Sequence, residues 1–185
     1  MYGLVNKAVQ ELVCSKFGAE TWERIKQKAG VDIDVFISHE SYDDAITYRL
    51  VGAATEILGV EGAVVLETFG EHWVTVTAEE GYGELMRASG DSLPDFLVNL
   101  PNFHARVKLL FPNLHPPTFK VSDLTESTLH LHYYSHRPGL APFVVGLVRG
   151  LGQRFNTPVT TTLLSSREQG LDHDTFLVSW GDVKP

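Results

Sequence analysis

Apolar residues at Leu4/Val5, Val9, Leu12/Val13 and Phe17 recur every three or four positions, which predicts a helix over Met1–Phe17 stopped by Gly18. A short helix is expected over Thr21–Ala29, followed by the connector "VDIDVFISHESYDD". The helical period returns from Asp43 to Leu58, with Ala45/Ile46, Arg49/Leu50, Ala53 and Ile57 on one side and Gly59 as a cap. Glu61 to about Ala78 also reads as helix, although it is rich in valine. Asp91 is placed to N-cap a further helix that starts at Leu93-Pro94, runs to about Leu110 and is broken by "FPNLHPP". The period then changes from 3.6 to two. "TFKVSDL" and "STLHLHYYS" predict a hairpin, and "TPVTTTLLSS" and "HDTFLVSW" two more strands, with a helix over Phe143–Phe155 between the pairs. Helices first and then a mostly antiparallel sheet make an α+β chain. A helical N-terminal part (1–60) would pack on a C-terminal part (61–185) holding a four-stranded antiparallel sheet and one inserted helix, with a cleft between them.

The stretch "LHLHYYSHRPG", Leu129 to Gly139, carries the densest chemistry. Read as a strand, it puts Leu129, Leu131, Tyr133, Ser135 and Arg137 on one face and His130, His132, Tyr134 and His136 on the other. The leucines mark the first face as the inner one. An arginine turned inward needs an anion, either a protein carboxylate or a bound ligand. The outer histidines read as solvated. His130 and His132 have a spacing that can chelate zinc, but no cysteine or carboxylate stands close to them in sequence.

Bulk composition narrows the function. One domain is expected from 185 residues, 43% of them hydrophobic and 21% charged. A net charge of -8 disfavours nucleic acid and anionic membranes as partners. The single cysteine, Cys14, excludes an internal disulfide and fits a reducing, cytoplasmic compartment. No apolar run is long enough to span a bilayer, and no signal peptide is evident. Nothing points to catalysis.

In "LPDFLVNLPNFHARVKLL" the apolar stripe takes in Leu93, Phe96/Leu97, Leu100, His104, Val107 and Leu110/Phe111. A histidine on such a stripe is either a core residue with one hydrogen bond or a ligand. Haem iron takes an imidazole of this kind, one that is neutral, fixed and shielded from water. Tyr133, Ser135 and Arg137 are the donors that the two haem carboxylates would accept.

Tyr133-x-Ser135-x-Arg137, the upstream His104 in "NLPNFH", "PPTF" at Pro116–Phe119 and the N-terminal "MYGLV" together resemble the haem nitric oxide/oxygen binding (H-NOX) domain, related to the sensor domain of soluble guanylate cyclases. The resemblance covers essentially the whole chain. It implies an α+β fold with haem b between the two parts, the helical part moving against the sheet part. His104 would ligate the iron, and Tyr133, Ser135 and Arg137 would hold the propionates. Pro117 would press on the porphyrin. Val5, Val9, Leu100 and Trp73 would pack around the haem, with Tyr2, Trp73 and Pro142 as candidates for the gas pocket. The partner would be a separate signalling protein such as a histidine kinase, a diguanylate cyclase or a guanylate cyclase.

Two positions depart from the family pattern. Members often carry an acidic residue three before the histidine, and here it is Pro101, which would bend the helix. Oxygen-binding members carry a distal tyrosine, and the matching position is Pro142, which has no donor. Bound oxygen needs a hydrogen bond far more than NO or CO does, so a sensor of NO and CO that excludes oxygen is expected, with Tyr2 and Trp73 the alternative donors. The competing functions are a haem enzyme or carrier, for which His72 is the candidate acid–base residue, and a haem-free scaffold.

Overall fold

The computed structural model describes residues 1–111 and 114–181. Pro112 and Asn113 of the expected helix breaker therefore lie outside the described residues. The chain forms two compact units, Met1–Phe69 and a second starting at Gly70.

The first unit holds α1 (Gly3–Phe17), α2 (Ala19–Ala29), α3 (Asp44–Leu58) and most of α4 (Gly62–His72). Its core is built from Ala8 and Leu12 of α1, Trp22 and Ile25 of α2, Leu50 of α3, and Phe36 from the connector. Asp43 caps α3 by accepting from the Ala45 amide at 2.9 Å, and Gly59 closes it in the left-handed conformation at φ 64°. A buried polar contact, Thr47 Oγ1 donating to Asn6 Oδ1 at 2.6 Å, ties α3 to α1.

The second unit begins with the end of α4 and continues through a π-helical turn (Trp73–Ala78), α5 (Glu79–Arg87) and α6 (Leu93–Leu110). It then adds β1 (Thr118–Ser122), β2 (Thr128–Tyr134), α7 (Ala141–Arg154), β3 (Val159–Ser165) and β4 (Asp174–Trp180). The strands form one antiparallel sheet in the order β1-β2-β4-β3. Phe119, Leu129, Leu131, Tyr133, Phe176 and Val178 are all buried on one face of it. The glycines of "GLVRGLG" in α7 allow a close approach, because a Cβ at Gly150 would stand 2.9 Å from Val74 of the π turn. Among the described residues no helix is long and apolar enough to cross a membrane.

Four expectations change. The helix expected over 61–78 gives way to a π turn from Trp73, where the β-branched run Val74–Thr77 crowds the backbone. The N-cap of α6 is Ser92, whose hydroxyl accepts from the Asp95 amide, and not Asp91. Helix α6 runs unbroken through the exposed Pro101. Finally, β2 ends at Tyr134, short of Ser135 and Arg137. Thr118 pairs with Tyr134, so Pro117 stands opposite Ser135 and has no N–H to extend the ladder.

Candidate haem site

Helix α6 turns Leu93, Phe96, Leu97, Leu100, Phe103 and Val107 into the second unit. His104 lies beside this stripe and lines an apolar cavity with about 510 Å³ of atom-free space, counting the part open to solvent. The walls come from α6 (Leu97, Leu100), the π turn (Trp73, Ala78) and the sheet (Phe119, Leu131). Helix α7 adds Val144, Leu147, Val148 and Leu151.

Burial pushes the His104 pKa down to about 4, and the Pro117 backbone opposes this without reversing it. The ring is therefore neutral at neutral pH. Its Nδ1 is buried and makes no hydrogen bond. The ring has one hydrogen bond, with the Pro117 backbone, and Nδ1 is the nitrogen left over. A neutral imidazole against an apolar cavity is a donor set that fits haem iron. Aromatic rings lead from it to the sheet, His104 to Phe119 at 5.6 Å between centroids and Phe119 to Tyr133 at 5.2 Å.

The structure brings His104, Leu100 and Trp73 together at this cavity. Pro117 meets His104 through its backbone. Of the triplet, Tyr133 is buried on β2, while Ser135 and Arg137 sit in the turn that follows. That turn closes by the Arg137 amide donating to Ser135 Oγ at 3.1 Å, and the Arg137 guanidinium donates to the His115 carbonyl at 3.4 Å. Pro142 is in the first turn of α7. Tyr2, Val5 and Val9 belong to the first unit. Tyr2 is buried and bridged through its backbone to Ser41, and Val9 lines a second apolar cavity within that unit.

Sequence reasoning missed Arg167. Its guanidinium donates to the Ser135 carbonyl and, at 3.4 Å, to that of Arg137, so it holds the turn carrying two of the three triplet residues. Asp174 fixes Arg167 in turn, accepting from its amide at 2.9 Å and from Ser166 Oγ at 3.0 Å. Nothing local in sequence signals this, because the contact spans 30 residues and more.

The Haem-NO-binding family model matches residues 2–163. The chain belongs to the haem-NO-binding (H-NOX) family. Members of the family are haem-binding sensor domains without catalytic activity of their own. Soluble guanylate cyclase gcy-35 of Caenorhabditis elegans is 31% identical over 177 residues, which are 93% of this chain and 26% of the relative. Soluble guanylate cyclase gcy-37 of the same organism is 35% identical over 152 residues, 80% of this chain and 22% of the relative. The chain thus spans about a quarter of the length of these curated relatives. An H-NOX protein mutant from K. algicida, solved in the Fe(II) unliganded state, superposes with a TM-score of 0.86 at 25% identity, covering 100% of this chain and 98% of that one. An H-NOX protein from S. oneidensis in the Fe(II)NO ligation state shares the fold, with a TM-score of 0.89 at 18% identity over 98% of this chain and 100% of that one.

Proposed function

We propose that this H-NOX chain is a cytoplasmic gas sensor that holds haem b through His104, five-coordinate in the ferrous state. It takes NO and CO, excludes oxygen, and passes its state to a separate effector such as a histidine kinase, a diguanylate cyclase or a guanylate cyclase. The observation that carries this reading is the half-buried, neutral His104, whose enclosed Nδ1 lacks a partner beside an apolar cavity. The guanylate cyclase relatives support the choice of effector, and the S. oneidensis structure in its NO ligation state supports the choice of gas.

Haem, when bound, would supply an iron centre able to take a diatomic gas. The chain supplies the rest. Burial keeps the His104 lone pair free of a proton, and α6 fixes where the ring sits. Tyr133, Ser135 and Arg137 offer two hydroxyls and a guanidinium to the propionates, with Arg167 holding the turn. Leu100 and Trp73 provide apolar packing, and Pro117 sets the backbone beside His104. Pro142 has no N–H or O–H to offer an oxygen molecule, which leaves Trp73 and Tyr2 as the donors to test.

Adding each gas to the reduced, haem-loaded protein tests the reading. NO and CO should each shift the Soret band, while air should produce no stable oxygen complex. A long-lived oxygen complex would refute the selectivity and direct attention to Trp73 and Tyr2.

A further inference from the structure

On the outer face of the sheet, His132 of β2 and His173, one residue before β4, meet across 41 residues of sequence. His132 Nδ1 stands 3.0 Å from His173 Nε2, with ring centroids 5.1 Å apart. The backbone places them there, because His132 pairs with Thr175 in the β2–β4 ladder.

The surrounding hydrogen bonds set the tautomer of His173. His173 Nδ1 is 2.5 Å from Asp172 Oδ1, so this nitrogen carries the proton and Nε2 keeps its lone pair. Ser122 Oγ spends its single proton on Asp123 Oδ2, at 2.8 Å. It can then accept from His132 Nε2, at 2.9 Å, which leaves Nδ1 of a neutral His132 with a lone pair as well. With Asp123 served by His130 Nδ1 at 2.8 Å, the alternative is that Ser122 donates to Nε2 and His132 Nδ1 donates to His173 Nε2. In either arrangement the two nitrogens stand 3.0 Å apart, and a metal ion can take the place of the single proton between them.

We propose that His132 and His173 form a two-histidine chelate for a divalent late transition metal, Zn²⁺ or Cu²⁺. Two imidazoles on one tetrahedral zinc, each bonded at about 2.0–2.1 Å, stand about 3.3 Å apart, so a shift of a few tenths of an ångström admits the ion. A carboxylate behind the ligating histidine, as Asp172 stands behind His173, raises its basicity and fixes its orientation. Tyr134 stacks on His173 at 4.3 Å and holds the ring further. Among the described residues no group of three or more histidine, cysteine or acidic side chains converges on a point. The remaining coordination positions therefore fall to water and to the Thr175 hydroxyl, 3.4 Å from His132 Nδ1. Lys120, whose Nζ lies 5.1 Å from the Tyr134 ring centre, opposes a cation, while Asp172 and Asp123 favour one. The site involves none of the residues assigned to haem.

Calorimetric titration of the haem-loaded, chelator-treated protein with Zn²⁺ tests the proposal, with Cu²⁺ electron paramagnetic resonance to count nitrogen ligands. One equivalent should bind, and copper should show two nitrogens. His132→Ala and His173→Gln should each weaken binding at least tenfold, and Asp172→Asn by about 10–100-fold. His39→Ala in the first unit should change nothing. The Soret band and circular dichroism report folding of each variant; if His132→Ala does not fold, His173→Gln and Asp172→Asn decide. No binding by the parent protein, or undiminished binding by the folded variants, overturns the proposal and leaves a shared proton as the cation.

Discussion

Each unit encloses an apolar cavity. The one in the first unit is larger, with about 730 Å³ of atom-free space against about 510 Å³ in the second. Val9, Leu12, Val13, Ala54, Val64 and Phe69 are among its walls, with no imidazole or thiolate among the residues that line it. The smaller cavity holds the half-buried His104, whose enclosed Nδ1 has no hydrogen bond. On the reading proposed above, size does not mark the place for the cofactor. A metal-binding side chain on the cavity wall does; an unpaired buried atom alone is no mark, since Asn6 Nδ2 of the first unit also lacks a partner.

The largest effect expected from this contrast is on His104. His104→Gly should abolish haem retention unless imidazole is supplied, while the first unit's cavity stays unchanged. A five-coordinate ferrous spectrum in that variant without imidazole would erase the distinction between the two cavities. Next come the propionate donors. Arg137→Ala should speed haem transfer to a scavenging apoprotein by about 10–100-fold and Ser135→Ala by about fivefold, following about 1.5–3 kcal/mol for a charged contact and about 1 for a hydroxyl. Equal rates in the two variants would remove Arg137 from the site. Arg167→Ala should fall near the weaker of these, since it loosens the turn and leaves the donors themselves in place. Transfer at the parent rate would show that the turn holds its shape unaided. The smallest effect belongs to the other cavity. Ala54→Leu should raise the urea midpoint, at roughly 0.8 kcal/mol for each methylene that fits, without moving the Soret band. A displaced Soret band would show that the first cavity senses the haem after all.

Local pattern carried much of the fold. The 3.6 period of α1, α3 and α6 and the two-residue period of the strands are written in neighbouring residues, and the histidine on the α6 stripe follows from the same period. What escaped depends on distant residues. "EEGYGELMR" gives little sign of α5, being polar and interrupted by glycine, and Tyr82 leaves helical geometry within it at φ -140°. The end of β2 is decided by Pro117, the residue just before the neighbouring strand β1. Arg167 and His173 gain their partners only when the sheet forms. His130, read as solvated and without a nearby carboxylate, has Asp123 at 2.8 Å once the hairpin closes.

Strand β2 also bears on how faithfully the chain folds. Its alternation puts Leu129, Leu131 and Tyr133 on one side and His130, His132 and Tyr134 on the other. Pairing it one residue out of step would turn every side chain over, driving two histidines into the core and leaving two leucines in water. Misfolded hairpins of this kind are therefore strongly penalised, because each of the two faces rejects the residues of the other.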